Sequence, residues 1–149
     1  MKVRTTKDSI RIEVRLPVSL PVAWDLLTGK EHMAEWWGDH VTLEAKPGGT
    51  FLERWSDGTR QVVTAGVVAR CQAPTLLEMT WADDDWPGDT RVAFQLSTSG
   101  DATRVVLEHS GWRVHPDAER QSLMEAHTAG WAQHMEALTD YTTNRFDSQ

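Results

Sequence analysis

The feature that most constrains the fold is a long helical pattern near the C-terminus. Residues 116–144 predict one helix of about 29 residues, or about 43 Å. Gly130 interrupts this helix directly before the bulky Trp131. Glycine in mid-helix costs about 1 kcal/mol relative to alanine, so it indicates either a close contact with the backbone or a notch beside a cavity. One stripe of the helix carries apolar and aromatic side chains at helical spacing: Met124, His127, Trp131, Met135 and Leu138.

Segments with a strand-like pattern precede this helix. Residues 10–16 alternate apolar and charged side chains, which is typical of a half-buried strand. Two short helices are predicted next, over residues 22–27 and 31–37, with Ser19 as a candidate cap of the first. Short turns such as Asp57-Gly58 join the later segments, so an antiparallel order is expected. The remaining strands are predicted over residues 41–44, 51–55, 61–71, 76–82, 91–96 and 103–110.

This order predicts an α+β fold in which a curved antiparallel sheet of six to seven strands grips the long helix. At 149 residues the chain is expected to form a single domain over residues 1–149. Such an arrangement often leaves a cavity between sheet and helix, and a cavity of this kind indicates a ligand.

Composition and charge limit the partners and the location. Lys and Arg number 15 against 22 Asp and Glu, for a net charge of −7, and the basic residues form no block. Nucleic acid and membranes are therefore not expected as partners. The single cysteine, Cys71, excludes an intrachain disulfide and fits a reducing compartment. No segment approaches the ~18 apolar residues of a membrane span, and the N-terminus lacks the apolar run of a signal peptide. We expect a cytoplasmic protein.

The landmarks of the chain resemble a known family. They are residues 22–28, Glu35-Trp36-Trp37-Gly38, residues 47–51, residues 55–58, residues 107–112 and residues 127–138. In this order they are similar to homologues of the activator of heat-shock-protein-90 ATPase, within the START-like superfamily (SRPBCC, polyketide cyclase, Bet v 1). The resemblance implies the helix-grip fold over nearly the whole chain. It also implies functions that range from ligand binding to cyclisation, with a chaperone or another protein as an alternative partner.

Charged residues predict which face of each strand is covered. Glu78, Arg91 and Glu108 are expected in water, which places alternate residues of their strands inside: Leu77, Met79, Trp81, Val92, Phe94, Leu96, Val105, Leu107 and His109. The strand over residues 51–55 is ambiguous. Either Phe51, Glu53 and Trp55 point inward, or Leu52 and Arg54 do.

The eight tryptophans exceed what the composition of a small domain leads one to expect. They could simply fill the core, and Trp24 and Trp36 are interpreted in that way. Alternatively, rigid rings with single N–H donors would suit the wall of a cavity. The candidate cavity residues are Trp37, Phe51, Glu53, Trp55, Trp81, Phe94, His109, Trp112, His127, Trp131 and Met135.

The sequence contains few candidates for catalytic or metal-binding groups. His109 and His127 are candidate acid–base groups, although each could equally be a hydrogen-bonded core histidine. No metal site is expected, because the six histidines show no HExxH spacing and no second cysteine exists. No cofactor is expected either. The acidic run over residues 83–85 is interpreted as a solvated hairpin tip.

Three hypotheses follow. The first is a module that binds an apolar or aromatic small molecule. The second is a cyclase- or hydrolase-type enzyme that uses the same cavity, with His109, Glu53 or Arg54 as acid–base or oxyanion groups. The third is a protein-interaction module. A homodimer through the exposed edges of the sheet is also expected to be feasible.

Overall fold

The computed structural model describes residues 1–146, and within them it forms one antiparallel sheet and three α-helices. The sheet order is β1-β2-β8-β7-β6-β5-β4-β3, and every neighbouring pair is antiparallel. The strands are β1 Lys2–Thr5, β2 Ser9–Leu16, β3 Val41–Leu43, β4 Thr50–Ser56, β5 Gln61–Gln72, β6 Leu76–Asp83, β7 Thr90–Ser99 and β8 Ala102–Ser110. The helices are α1 Leu20–Thr28, α2 Lys30–Trp36 and α3 Asp117–Phe146, with a 3₁₀ turn at Trp112–Val114. The predicted helix-grip architecture is confirmed.

One strand of the sheet was not predicted. β1 brings the count within residues 1–146 to eight rather than six to seven, and it pairs with β2 from Lys2↔Glu13 to Thr5↔Ile10. All four of its side chains are exposed. An alternating pattern arises only where one face of a strand is covered, so this edge strand carries no sequence signal.

The short helices place Trp36 and Trp37 beneath α3. Gly29 ends α1 and also precedes α2, so the chain turns sharply between them. Trp36 then donates its indole N–H to the carbonyl of Leu26 at 2.8 Å, which locks the two helices together. Ser19 occupies the predicted cap position of α1, but its side chain makes no capping hydrogen bond.

The covered face of the sheet is the predicted one. Leu77, Met79 and Trp81 are buried on β6, and the equivalent residues of β7 and β8 are buried as well. Arg91 and Glu78 lie on the opposite face, where their side chains pair at 2.7 Å. The ambiguous strand β4 places Phe51 in the core and leaves Arg54 exposed.

α3 buries the predicted stripe against this face. The buried residues are Met124, Trp131, Met135, Leu138 and Thr142, and His127 is half-buried. Among the described residues no helix is long and apolar enough to cross a membrane.

The α3 stripe generates a stability prediction. Met135 is fully buried between α3 and the sheet. We expect Met135→Ala to lower the free energy of unfolding by about 2–5 kcal/mol, because it removes buried methylene groups and leaves a void. The exposed neighbour Glu136→Ala is the control and should change stability by less than about 0.5 kcal/mol. Urea denaturation of both variants checks this, and equal effects would contradict the packing described.

Candidate functional site

A cavity of about 450 Å³ lies between α3 and the strands β4, β5 and β6. The strands contribute aromatic, hydroxyl and acidic side chains, and α3 contributes one face of its middle turns. Gly130 lines the cavity, and a Cβ atom built on it meets no other atom within 4 Å. Its missing side chain therefore leaves open space beside the helix rather than permitting a close contact. The lining residues are Glu53, Trp55, Thr64, Trp81, Asp83, Ala126, His127, Gly130, Trp131, Gln133 and His134.

Trp81 and Trp131 form the aromatic wall of the cavity. Their ring centroids are 5.0 Å apart, and Phe51 stacks on Trp81 at 5.0 Å. Trp37 and Phe94 each pack edge-on against Trp131, with ring centroids at 5.5 and 6.0 Å. The indole N–H groups of Trp37 and Trp81 are buried without an acceptor within residues 1–146. Packing, rather than hydrogen bonding through their N–H groups, fixes these two rings.

His109 connects the wall to the sheet through a chain of hydrogen bonds. Trp131 donates its indole N–H to His109 Nδ1 at 3.0 Å. The hydroxyl of Thr90 donates to the carbonyl of Trp81 at 2.7 Å, so it accepts from His109 Nε2 at 2.6 Å. These partners fix the neutral tautomer with the proton on Nε2. Burial lowers the pKa of His109 well below its usual value, with the nearby His127 and His115 adding to the effect.

Two acidic side chains, Glu53 and Asp83, also line the cavity. Glu53 Oε2 lies 2.7 Å from His40 Nε2. Trp55 donates its indole N–H to the Thr64 hydroxyl at 2.9 Å, and that hydroxyl donates to Asp83 Oδ1 at 2.6 Å. Burial raises the pKa of Asp83, against the opposing effect of the Thr64 hydrogen bond. The relay orients Trp55, which is 36% exposed at the mouth of the cavity.

The two histidines that α3 contributes to the lining favour their neutral forms. Burial, followed by the charge of His40, lowers the pKa of His134 to about 4. Burial also lowers the pKa of His127. His127 Nδ1 lies 3.0 Å from the carbonyl of Leu123, which can only accept, so the neutral ring carries its proton on Nδ1. The other nitrogen, Nε2, keeps a free lone pair.

The structure divides the predicted site residues into two groups. Five of them line the cavity: Glu53, Trp55, Trp81, His127 and Trp131. The other six lie behind that lining, in the packing that holds it: Trp37, Phe51, Phe94, His109, Trp112 and Met135. Trp112, for example, is fully buried and contacts the rings of His109 and His127 at 4.4 and 4.9 Å.

Gly130, interpreted from the sequence as either a close backbone contact or a notch beside a cavity, lines the cavity. Several other lining residues were not predicted. His134 lies on the same helix face as His127, Gly130 and Trp131, at spacings of seven, four and three residues, so the helical pattern contained the signal. Thr64 and Asp83 come together only through the pairing Thr64↔Asp83 between β5 and β6, which no local pattern reveals.

The interpretation of residues 83–85 as a solvated hairpin tip was wrong for Asp83. Asp83 is the last residue of β6, is half-buried and lines the cavity. Asp84 and Asp85 are exposed and both pair with Arg60, at 3.2 and 3.0 Å. Strand β6 is one residue longer than predicted, and this places the first carboxylate inside. Within residues 1–146, no three His, Cys, Asp or Glu side chains are grouped so that they could hold a metal ion.

The fold and its cavity define a helix-grip domain of the START-like superfamily. Residues 17–143 match the model of the family described as Activator of Hsp90 ATPase homolog 1-like protein, and the chain belongs to that family. No curated protein matches the sequence closely enough to count as a relative.

Solved structures share this fold at low sequence identity. CalU16 from Micromonospora echinospora is 24% identical with a TM-score of 0.69, and the match covers 94% of this chain and 79% of CalU16. Protein MLL2253 from Mesorhizobium loti is 22% identical with a TM-score of 0.75, covering 93% and 98%. The Aha1 dimer from Colwellia psychrerythraea is 22% identical with a TM-score of 0.72, covering 89% and 93%. At these identities the likeness concerns the fold alone.

The hydrogen bonds of His109 generate a second prediction. Thr90→Val removes the one acceptor of His109 Nε2–H among residues 1–146, in a site where both residues are fully buried. We expect a loss of about 1–3 kcal/mol in unfolding free energy, because a buried donor is left without a partner. Thr98→Val, at an exposed position of the same strand β7, is the control and should have little effect. A Thr90→Val variant as stable as this control would contradict the assigned network.

The histidines also predict a pH dependence of stability. Folding lowers the pKa of His109, His115, His127 and His134. Below about pH 6.5 the unfolded chain therefore binds more protons than the folded one, and stability falls as the pH drops. For His134 this window extends to about pH 4. The raised pKa of Asp83 acts in the opposite direction, but only above about pH 3.8, the usual value of that group.

Urea unfolding at pH 7.5, 6.5 and 5.5 tests this dependence. Stability should begin to decrease between the first two values, where the unfolded histidines start to protonate, and should decrease more steeply toward the third. His134→Asn should reduce the decrease, because it removes one titrating group. A stability that does not change between pH 6.5 and 5.5 would contradict the burial of these rings.

Proposed function

We propose that this domain binds an apolar or aromatic small molecule in the cavity between α3 and strands β4 to β6. The observation that carries the proposal is the open space beside Gly130, bounded by the rings of Trp81 and Trp131. Glycine at mid-helix costs about 1 kcal/mol relative to alanine, so its position beside an open space calls for an explanation. The absent side chain of Gly130 leaves room for a ligand in a cavity whose walls are rigid and apolar.

The arrangement of the polar groups also supports binding. Trp55, Trp81 and Trp131 give the cavity wall its apolar surface, while Glu53, Asp83 and His127 belong to a small set of polar groups beside them. Ligand pockets in proteins usually combine an apolar lining with a few oriented polar groups. His109 does not belong to this set, because both of its ring nitrogens already have partners.

A catalytic use of the same cavity is a second proposal, supported by His127. Its neutral ring presents Nε2 as a proton acceptor, and Asp83 in the same lining has a raised pKa. A base and a carboxyl group at one cavity would suit a proton-transfer step of a cyclase or hydrolase. Turnover of a bound ligand that is lost in both His127→Gln and Asp83→Asn, with binding retained, would favour the enzyme.

A protein-interaction role is supported by the family description and by the Aha1 dimer of Colwellia psychrerythraea. A homodimer of this chain would use a free sheet edge, either β1 or β3. Light scattering at increasing protein concentration tests this proposal. A constant monomer mass would exclude the dimer.

The proposed binding is tested by filling the notch. Gly130→Leu should leave the fold intact or stabilise it by up to about 1 kcal/mol, since leucine favours the helix more than glycine does. The new side chain should occupy the cavity and abolish ligand binding, measured by quenching of tryptophan fluorescence. Ala129→Leu is the matched control, because Ala129 is exposed on α3 and lies outside the cavity lining.

Two results would contradict this design. Sharp destabilisation of Gly130→Leu would mean that the space beside the helix is closed. Equal ligand binding by Gly130→Leu and Ala129→Leu would mean that the ligand binds elsewhere.

A further inference from the structure

We propose that the ligand of this cavity is an organic cation, an amine or quaternary ammonium group attached to an apolar or aromatic body. This inference rests on the proposed function and specifies its ligand class. Three features of the site support it: the charges of the lining, the surroundings of Asp83 and the arrangement of the indole rings.

The charges of the lining have one sign. Glu53 and Asp83 contribute carboxylates, and none of the lining residues is lysine or arginine. The two histidines of the lining have lowered pKa values, about 4 for His134, so they add no positive charge at neutral pH. His40 does not line the cavity, and its Nε2 lies 2.7 Å from Glu53 Oε2.

Asp83 lacks a positively charged partner. Its Oδ1 accepts the Thr64 hydroxyl, and no cationic side chain within residues 1–146 forms an ion pair with it. Arg60 forms its ion pairs with the next two residues, Asp84 and Asp85. A half-buried carboxylate without a cation is costly, and the raised pKa of Asp83 reflects that cost. A positive group in the cavity would relieve it.

The rings around the carboxylates complete a site for a cation. Trp55, Trp81 and Trp131 line the same cavity as Glu53 and Asp83. The face of an indole attracts an ammonium group, and tryptophan does so best among aromatic residues. Thr64 holds Trp55 and Asp83 in one relay, so the ring at the mouth and the carboxylate are positioned together.

Other ligand charges fit less well. An anionic ligand would meet two carboxylates and no arginine or lysine in the lining, which opposes its binding. A neutral ligand would fill the aromatic space but remove water from Asp83 without offering a counter-charge. A cation with an apolar body uses both parts of the cavity.

Three soluble compounds of one shape test the charge preference. They are (4-hydroxyphenyl)trimethylammonium, its neutral isostere 4-tert-butylphenol, and the anion 4-hydroxybenzenesulfonate. NMR titrations that follow the indole N–H resonances give the affinity of each for the wild type. We expect the cation to bind about tenfold more tightly than the isostere, with the anion weakest. Equal or tighter binding of the neutral or anionic compound would overturn the inference.

Variants of the two carboxylates test whether they cause the preference for a cation. Asp83→Asn should reduce the affinity for the cation several-fold and leave that for 4-tert-butylphenol unchanged. Asp84→Asn is the matched control, because that carboxylate is exposed and paired with Arg60. Should Asp83→Asn fold poorly, Glu53→Gln serves as the second variant with the same expectation. Unchanged cation affinity in the folded carboxylate variants would also overturn the inference.

The same titrations separate this inference from the proposed function. If the neutral isostere binds best and Gly130→Leu blocks it, the cavity is a ligand site but the cation preference is wrong. If none of the three compounds perturbs the indole resonances of the cavity, and Gly130→Leu behaves like wild type, both proposals fail.

Discussion

The hydrogen bond from Trp131 to His109 is the interaction on which the site depends. It joins α3 to β8. Thr90 on β7 then accepts a hydrogen bond from His109 and donates one to the Trp81 carbonyl on β6. The three strands are neighbours in the sheet, so this series of hydrogen bonds fixes the position of α3 relative to them. Trp131 and Trp81 are thereby held 5.0 Å apart as the wall of the cavity.

The same network explains why two histidines in contact have different roles. His109 and His127 lie with their ring centroids 5.6 Å apart, and burial lowers the pKa of both. Both nitrogens of His109 are used within the protein, so its role is to position Trp131. His127 uses only Nδ1, on the helix backbone, and lines the cavity. The number of free nitrogens, not the residue type, separates the structural ring from the one available to a ligand.

The sequence could predict the fold because the relevant signals are periodic. The alternation in β2, β6, β7 and β8 and the α3 stripe each identify a covered face, and the turns favour antiparallel order. β1 was missed because none of its residues is buried. The wall residues Trp81 and Trp131 were likewise predicted from their faces, since a residue that points inward is a core or cavity residue in either case.

The polar half of the site could not be predicted in the same way. Thr64 and Asp83 are ordinary strand residues, and they meet only because of the register between β5 and β6. A shift of one residue in that pairing would move Asp83 out of reach of Thr64 and change the charge of the cavity. Sequence patterns indicate faces but not register across long connections. Sequence patterns also cannot separate residues that line the cavity from residues packed behind them. Trp112 and Phe94 point inward as predicted but lie behind the lining.

Gly130 and Trp131 show how one turn of helix meets two opposing requirements. Trp131 must be large and buried, because it carries the hydrogen bond that positions α3. A second large side chain at Gly130 would fill the space that this positioning creates. Glycine there costs helix stability of about 1 kcal/mol, and the fully buried Met135 and Leu138 one to two turns further on offset that cost through packing. Buried residues on both sides of the middle turns therefore stabilise the helix, Met124 before them and Met135 and Leu138 after them. Its middle is free to carry a cavity, which is the arrangement expected where a fold has to remain rigid around an open site.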